Sequence, residues 1–356
     1  MLDDPGDLAA LTALETTLSG LCAELADILA DPPSDERTDK VRLLWPRLAS
    51  LEIPYSSALS ALRSNLSQPR DDTPLQAAAR RRLLHHAPAR LGLWGRIGRM
   101  VHRQLHPGSF PALVTETTEI ITGPQFGPVN YLSQLLFQLS NPIAGDADVV
   151  PEGHHRDIPL SGAYFINLLT AARRILLARG HDGPVRFLDM GCGAGTKVLA
   201  ASAVFEIAHG GEYSPEYVAQ ARSFFTRLGA DPDVILETNA LTFDDYASYD
   251  VIYFYRPLKN IDLAVQMEER ILDQARPGTL LIAPLNVTLG RLPDRVLKIA
   301  DKIFITGQTR DAIAELVRDA ERKGCETRIT PFPEDEVLGF WQPLVTRSRR
   351  NGFALL

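Results

Sequence analysis

The segment Val185-Arg-Phe-Leu-Asp-Met-Gly-Cys-Gly-Ala-Gly-Thr-Lys197 constrains this chain more than any other. An apolar, β-branched run ends in an acid, three glycines follow at alternate positions, and an amphipathic stretch begins at once. That is strand, tight turn and helix in thirteen residues. Gly191, Gly193 and Gly195 permit positive φ and leave backbone N–H groups unshielded, so a ligand can approach the main chain closely. Downstream the texture repeats. Short strands are expected at Val185–Met190, Ala208–Glu212, Val234–Thr238, Asp250–Tyr255 and Thr279–Ala283, with helices near 196–205, 215–228, 261–275 and 310–323. Strands alternating with helices predict an α/β, doubly wound, mostly parallel sheet. The final strands are expected at Thr327–Pro331 and Gly339–Thr346.

The spacing separates two ligand classes. A dinucleotide fingerprint is GxGxxG and would need glycine at 196, where the chain has Thr196. The spacing is GxGxG instead, and it disfavours, without removing, an NAD(P)-dependent oxidoreductase. Asp189-Met-Gly-Cys-Gly-Ala-Gly195 resembles the first motif of the class I (Rossmann-like) S-adenosylmethionine (SAM)-dependent methyltransferases. The likeness covers about residues 160–285.

The resemblance implies SAM as cofactor, held by Asp189, Gly191, Cys192, Gly193 and Gly195. It also implies a second acid about twenty residues on for the ribose hydroxyls, and Glu212 stands there, with Tyr213 beside it. A carboxylate suits a vicinal diol because it accepts two hydrogen bonds at once. Asn239, followed by Ala240, occupies the adenine position, where Asp is commoner. The end of the fourth strand, Tyr253-Phe-Tyr-Arg-Pro257, falls beside the transferable methyl. It lacks the Asn/Asp-Pro-Pro-Tyr of enzymes that methylate base amino groups. Tyr253 is expected against the cofactor, Tyr164 is either a second cofactor contact or a core aromatic, and Tyr255 and Arg256 are expected against the acceptor. His154 and His155 are candidate general bases. The implied reaction is methyl transfer to nitrogen or oxygen of a small molecule or protein. A methyltransferase-like subunit that binds without catalysis is the remaining alternative.

The front third reads differently. Leu8, Leu11, Leu14, Leu18, Leu21, Leu25 and Ile28 repeat at three and four residues, a single helical face. Pro32-Pro33 ends that helix, Ser34-Asp35-Glu36 begins another, and a third follows Thr73-Pro74, with Pro88 expected to interrupt it. Residues 1–145 are thus read as an α-helical module for substrate recognition or dimerisation, and 146–356 as the SAM-binding domain. The leucine face is the core of a bundle or, alternatively, a homodimer seam.

Charge is uneven along the chain. Residues 1–60 hold eleven Asp/Glu against four Lys/Arg, whereas Arg80–His106 holds seven arginines, four histidines and no carboxylate. Pairing within the module accounts for that block better than a nucleic-acid surface, since stacking aromatics are not interleaved with it. A net charge of −7 also argues against nucleic acid. Three dispersed cysteines give no metal spacing. With no run of about 18 apolar residues and an acidic start, the expectation is a cytoplasmic protein without membrane association.

Overall fold

The computed structural model describes residues 6–64, 73–106, 113, 126–141, 160–181, 183–324, 326 and 335–355. The chain divides into two compact units, Met1–Pro111 with Ile329–Leu356, and Ala112–Arg328. The boundary expected at 145/146 is therefore corrected twice. It falls earlier, and the last segment of the chain returns to the first unit.

The first unit is helical: α1 (Gly6–Ile28), α2 (Asp35–Ala49), α3 (Glu52–Ser64), α4 (Pro74–Gly92), α5 (Trp94–Arg103) and, from the chain's end, α12 (Asp335–Leu338) and α13 (Gln342–Arg350). Ser34 caps α2 by accepting the Arg37 N–H at 3.1 Å. Pro88 lies inside α4 rather than ending it. Leu11, Leu18, Leu21 and Leu25 of α1 are buried with Leu44, Tyr55, Trp94, Trp341, Leu344 and Val345. Gly339–Thr346, expected as a strand, is a 3₁₀ turn running into α13, because Trp341, Leu344, Val345 and Ser348 recur at helical spacing and are all buried. Thr327–Pro331 lies outside the described residues. By length and mean hydropathy α1 is the one described helix apolar enough to cross a bilayer; here its leucines fill the core of this unit.

Part of the basic block is absorbed by this unit. The Arg90 guanidinium meets Glu15 Oε1 at 2.7 Å, and Tyr55 donates to the same oxygen at 2.8 Å. Arg96 and Arg103 donate to the carbonyls of Leu355 and Ala354 at 2.9 and 2.7 Å. Arginines without acids nearby in sequence thus fasten the returning chain end.

The second unit carries α6 (Gly127–Ser140) and α7 (Gly162–Ala178), then β1 (Arg186–Met190), α8 (Thr196–Ser202), β2 (Ile207–Glu212), α9 (Pro215–Arg227), β3 (Ile235–Glu237), β4 (Val251–Phe254), α10 (Ile261–Gln274), β5 (Leu280–Ile282), β6 (Val296–Ala300), β7 (Ile303–Thr306) and α11 (Arg310–Glu321). The sheet order is β3-β2-β1-β4-β5-β7-β6. Neighbours from β3 to β5 are parallel, and β7 is antiparallel to both β5 and β6. Successive residues serve opposite faces. Phe187 and Tyr253 pack with Leu168, Leu169 and Ile175 of α7 and Val218 and Phe224 of α9, while Leu188, Ile252 and Phe254 pack with Met267 and Ile271 of α10. The five expected strands and the helices between them are present within one or two residues, except that the helix expected at 196–205 ends three residues early, at Ser202. The sheet is extended by an unexpected hairpin, β6–β7; Ala300 pairs Ile303 across Asp301-Lys302, and Lys302 takes φ +54° to close the turn.

Candidate active site

The chain leaves β1 at Gly191 with φ +84°. The Gly191 and Cys192 N–H groups donate to the Gly211 carbonyl at 2.7 and 3.1 Å, which stitches the loop to the end of β2. Gly193 follows at φ +52° and donates its N–H to Glu212 Oε2 at 2.9 Å. Gly195, at φ +80°, donates to the Cys192 carbonyl and precedes α8. The three glycines serve two sides. A Cβ on Gly195 would stand 3.0 Å from Phe225 Cε2, so Gly195 backs onto the core. A Cβ on Gly191 would stand 2.5 Å from Pro257 Cβ, so Gly191 leaves room for the end of β4.

Glu212, at the C-terminal end of β2, is buried. Besides the Gly193 amide it accepts the N–H groups of Tyr213 and Ser214 on Oε1, both at 2.9 Å. About three of a carboxylate's roughly four acceptor positions are thereby filled. Asp189, the residue before the last of β1, is also buried and stands in register with Gly210 of β2 and Tyr253 of β4.

These groups line one cleft at the C-terminal ends of the parallel strands, the usual ligand position in an open α/β sheet. Of the residues singled out in the sequence, Asp189, Gly191, Gly193, Glu212, Tyr213, Asn239, Ala240, Tyr253, Tyr255 and Arg256 line it. Asn239 Oδ1 accepts the Leu241 N–H at 2.9 Å, so that side chain also closes its own turn.

Three expected cofactor residues do not line the cleft. Cys192 is buried, its sulfur 2.6 Å from where a Cβ on Gly210 would stand. Gly195 faces Phe225, as above. Tyr164 is buried on α7 and donates its hydroxyl to Asp301 Oδ2 at 3.1 Å, fastening the β6–β7 turn. His154 and His155 lie outside the described residues.

Pro257, at the end of the segment expected beside the methyl, lines the cleft too, whereas Met190, Lys197, Gly211, Tyr217, Thr238, Leu241, Leu258 and Leu263 were not singled out in the sequence. Lys197 and Tyr217 had a readable signal. Each sits in the first turn of a helix that follows a strand ending at the cleft. Arg256 takes φ +50°, a sparsely populated conformation for a side-chain-bearing residue, at the exit of β4. Among the described residues no group of three or more His, Cys, Asp or Glu is arranged to hold a metal ion.

Strand order separates this sheet from the dinucleotide-binding one, which runs 3-2-1-4-5-6. The seven-stranded mixed sheet with its surrounding helices, and the helical region ahead of it, have the α/β class I methyltransferase-like fold. No family model matches the sequence, and no curated protein does. Among solved structures the chain is similar to an RNA methyltransferase from Salinibacter ruber in complex with S-adenosyl-L-homocysteine, at 20% identity and TM-score 0.28 over 46% of this chain and 94% of that one. It is also similar to an O-methyltransferase from Bacillus cereus, at 14% identity and TM-score 0.30 over 57% and 82%. An amino pentose methyltransferase from Micromonospora echinaspora matches at 21% identity and TM-score 0.27 over 41% and 64%. The fold assignment rests on strand order and register, not on these remote likenesses.

Proposed function

We propose that the protein is a SAM-dependent methyltransferase acting on a nitrogen or oxygen acceptor. The observation that carries this reading is Glu212. Its carboxylate sits on the Gly193 amide, and the other loop amides, at Gly191, Cys192 and Gly195, are already spent on carbonyls. A pyrophosphate would find few open N–H donors there and an acid among them. An uncharged ribose diol beside a sulfonium suits the same place well.

Asp189 and Glu212 would hold the cofactor's polar groups, and Gly191 and Gly193 leave it a floor without side chains. Bound there, SAM supplies an electrophilic methyl on a cationic sulfur. The chain's own task is to align an acceptor lone pair with it and to keep water out. Tyr255 and Arg256, at the exit of β4, are the residues we assign to the acceptor. No general base is needed for an unprotonated amine.

Calorimetry tests the reading. S-adenosylhomocysteine (SAH) is expected to bind and stabilise the second unit, by about 2.7 kcal/mol at a concentration one hundred times its Kd, while NAD and NADP do not bind. Glu212→Gln is expected to weaken SAH binding by about 1–3 kcal/mol, the cost of leaving buried donors and ligand hydroxyls poorly answered. Tight NADH binding without SAH binding would overturn the reading.

A further inference from the structure

The cleft is chemically two-ended. Its inner end holds Asp189 and Glu212, both buried carboxylates. Its outer end, where β4 exits, is lined by Tyr255, Arg256, Pro257, Leu258 and Leu263, with no carboxylate among the described lining residues.

Arg256 makes no hydrogen bond or ion pair among the described residues. Other arginines of this unit are spent on structure. Arg270 donates to the carbonyls of Phe243 and Thr242, and Arg276 pairs with Asp250 at 2.9 Å. Arg256 is instead exposed at the cleft and held at φ +50°. The hold is visible. Pro257 packs into the space that Gly191 leaves open, so the residue before it cannot relax without displacing the β4 exit from the glycine loop. The β4 exit thus carries an exposed guanidinium, with no partner among the described residues, beside an apolar and aromatic wall.

We propose that the methyl acceptor carries a carboxylate, taken by Arg256 at the cleft's outer end, with an aromatic or aliphatic body against Tyr255, Pro257 and Leu258. The proposal rests on the methyltransferase reading above. A guanidinium stays charged at any working pH and presents a planar fork that fits a carboxylate. A phosphate dianion would bring a second negative charge toward Asp189 and Glu212, and Arg256 is the one cation among the described residues that line this end. Arg256 and Lys197, the two cations among the described lining residues, are likewise a poor match for a polyanion, whose binding relies on many cations.

The test uses the full chain with SAM and follows SAH release. The probes are matched pairs, each a hydroxy- or amino-substituted aromatic carboxylate and its carboxamide. The acids are expected to exceed their amides in kcat/KM by about tenfold or more, the scale of a hydrogen bond to a charged group. Arg256→Gln removes that preference and leaves SAM affinity unchanged; Arg256→Lys restores part of it. Arg256→Asn, which tolerates positive φ, loses the preference with the backbone unstrained. Amides used as well as acids, a preference that survives in Arg256→Gln and Arg256→Asn, or no turnover of any pair by protein that binds SAM overturns the proposal. Absence of SAM binding instead overturns the cofactor reading, and the proposal with it.

Discussion

The two units bury charge for opposite ends. In the helical unit Arg90, Glu15 and Tyr55 meet one another inside the packing, and the guanidinium also reaches the Glu336 carbonyl at 2.9 Å. In the α/β unit the buried acids Asp189 and Glu212 stand at strand ends, and Glu212 spends itself on three backbone N–H groups around a cleft. A mutual cluster locks a core, whereas an acid that answers main-chain amides shapes an opening. All three tryptophans, Trp45, Trp94 and Trp341, belong to the helical unit, so indole fluorescence reports that unit alone.

That property lets the contrast be broken experimentally. The largest effect is expected from Arg90→Met, which leaves Glu15 without its cation. Removing one partner of a buried pair costs about 3 kcal/mol or more, read as a lower urea midpoint of tryptophan fluorescence, with SAH affinity unchanged. A loss below about 1 kcal/mol would place the pair among surface-like bridges and erase the contrast.

Gly191→Val comes next. A β-branched residue at φ +84° that also meets Pro257 should cost about 2–4 kcal/mol from strain and overpacking together. The cost should appear as lost SAH binding and weaker amide protection in β1 and β4, while the tryptophan transition stays put. Retained SAH binding would mean that the β4 exit does not lean on the glycine loop.

The smallest effect is a pH dependence confined to the α/β unit. Burial, and after it the Arg186 guanidinium, holds the His209 imidazole below its usual pKa, against opposing pulls from Asp231 and Asp245. A folded-state value below the unfolded one means that unfolding takes up a proton. Its stabilisation is complete above about pH 6.5 and is lost as pH falls through the folded-state value. Amide protection in β2 should decline over that window, and His209→Gln should flatten the decline. An equal decline in the variant would assign it to other groups.

The glycine loop, Glu212 and the first five strands were legible because local pattern and tertiary role agree there. The hairpin β6–β7 was not. Its turn is Asp301-Lys302, with no glycine or asparagine to announce positive φ, and Val296–Ala300 alternates imperfectly across a bulge near Lys298. Tyr164 stayed open between core and cofactor for a different reason. Its helix is the expected one, but which way a helical aromatic points is settled by long-range packing, here by Asp301 some 137 residues away. The return of residues 329–356 was invisible for the same cause. Arg96 and Arg103 recognise carbonyls of Leu355 and Ala354, and a carbonyl carries no sequence signal.

That return sets an order of synthesis. A ribosome adds about 5–20 residues per second, so α1 to α5 wait on the order of tens of seconds for Trp341, Leu344 and Val345 to close their core. Over that interval Leu18, Leu25 and Trp94, buried in the finished unit, stand without their last neighbours. The α/β unit is complete before the helical one can be. The helical unit, begun before the α/β unit, is therefore finished after it, and until then its open core is what chaperones and proteases meet.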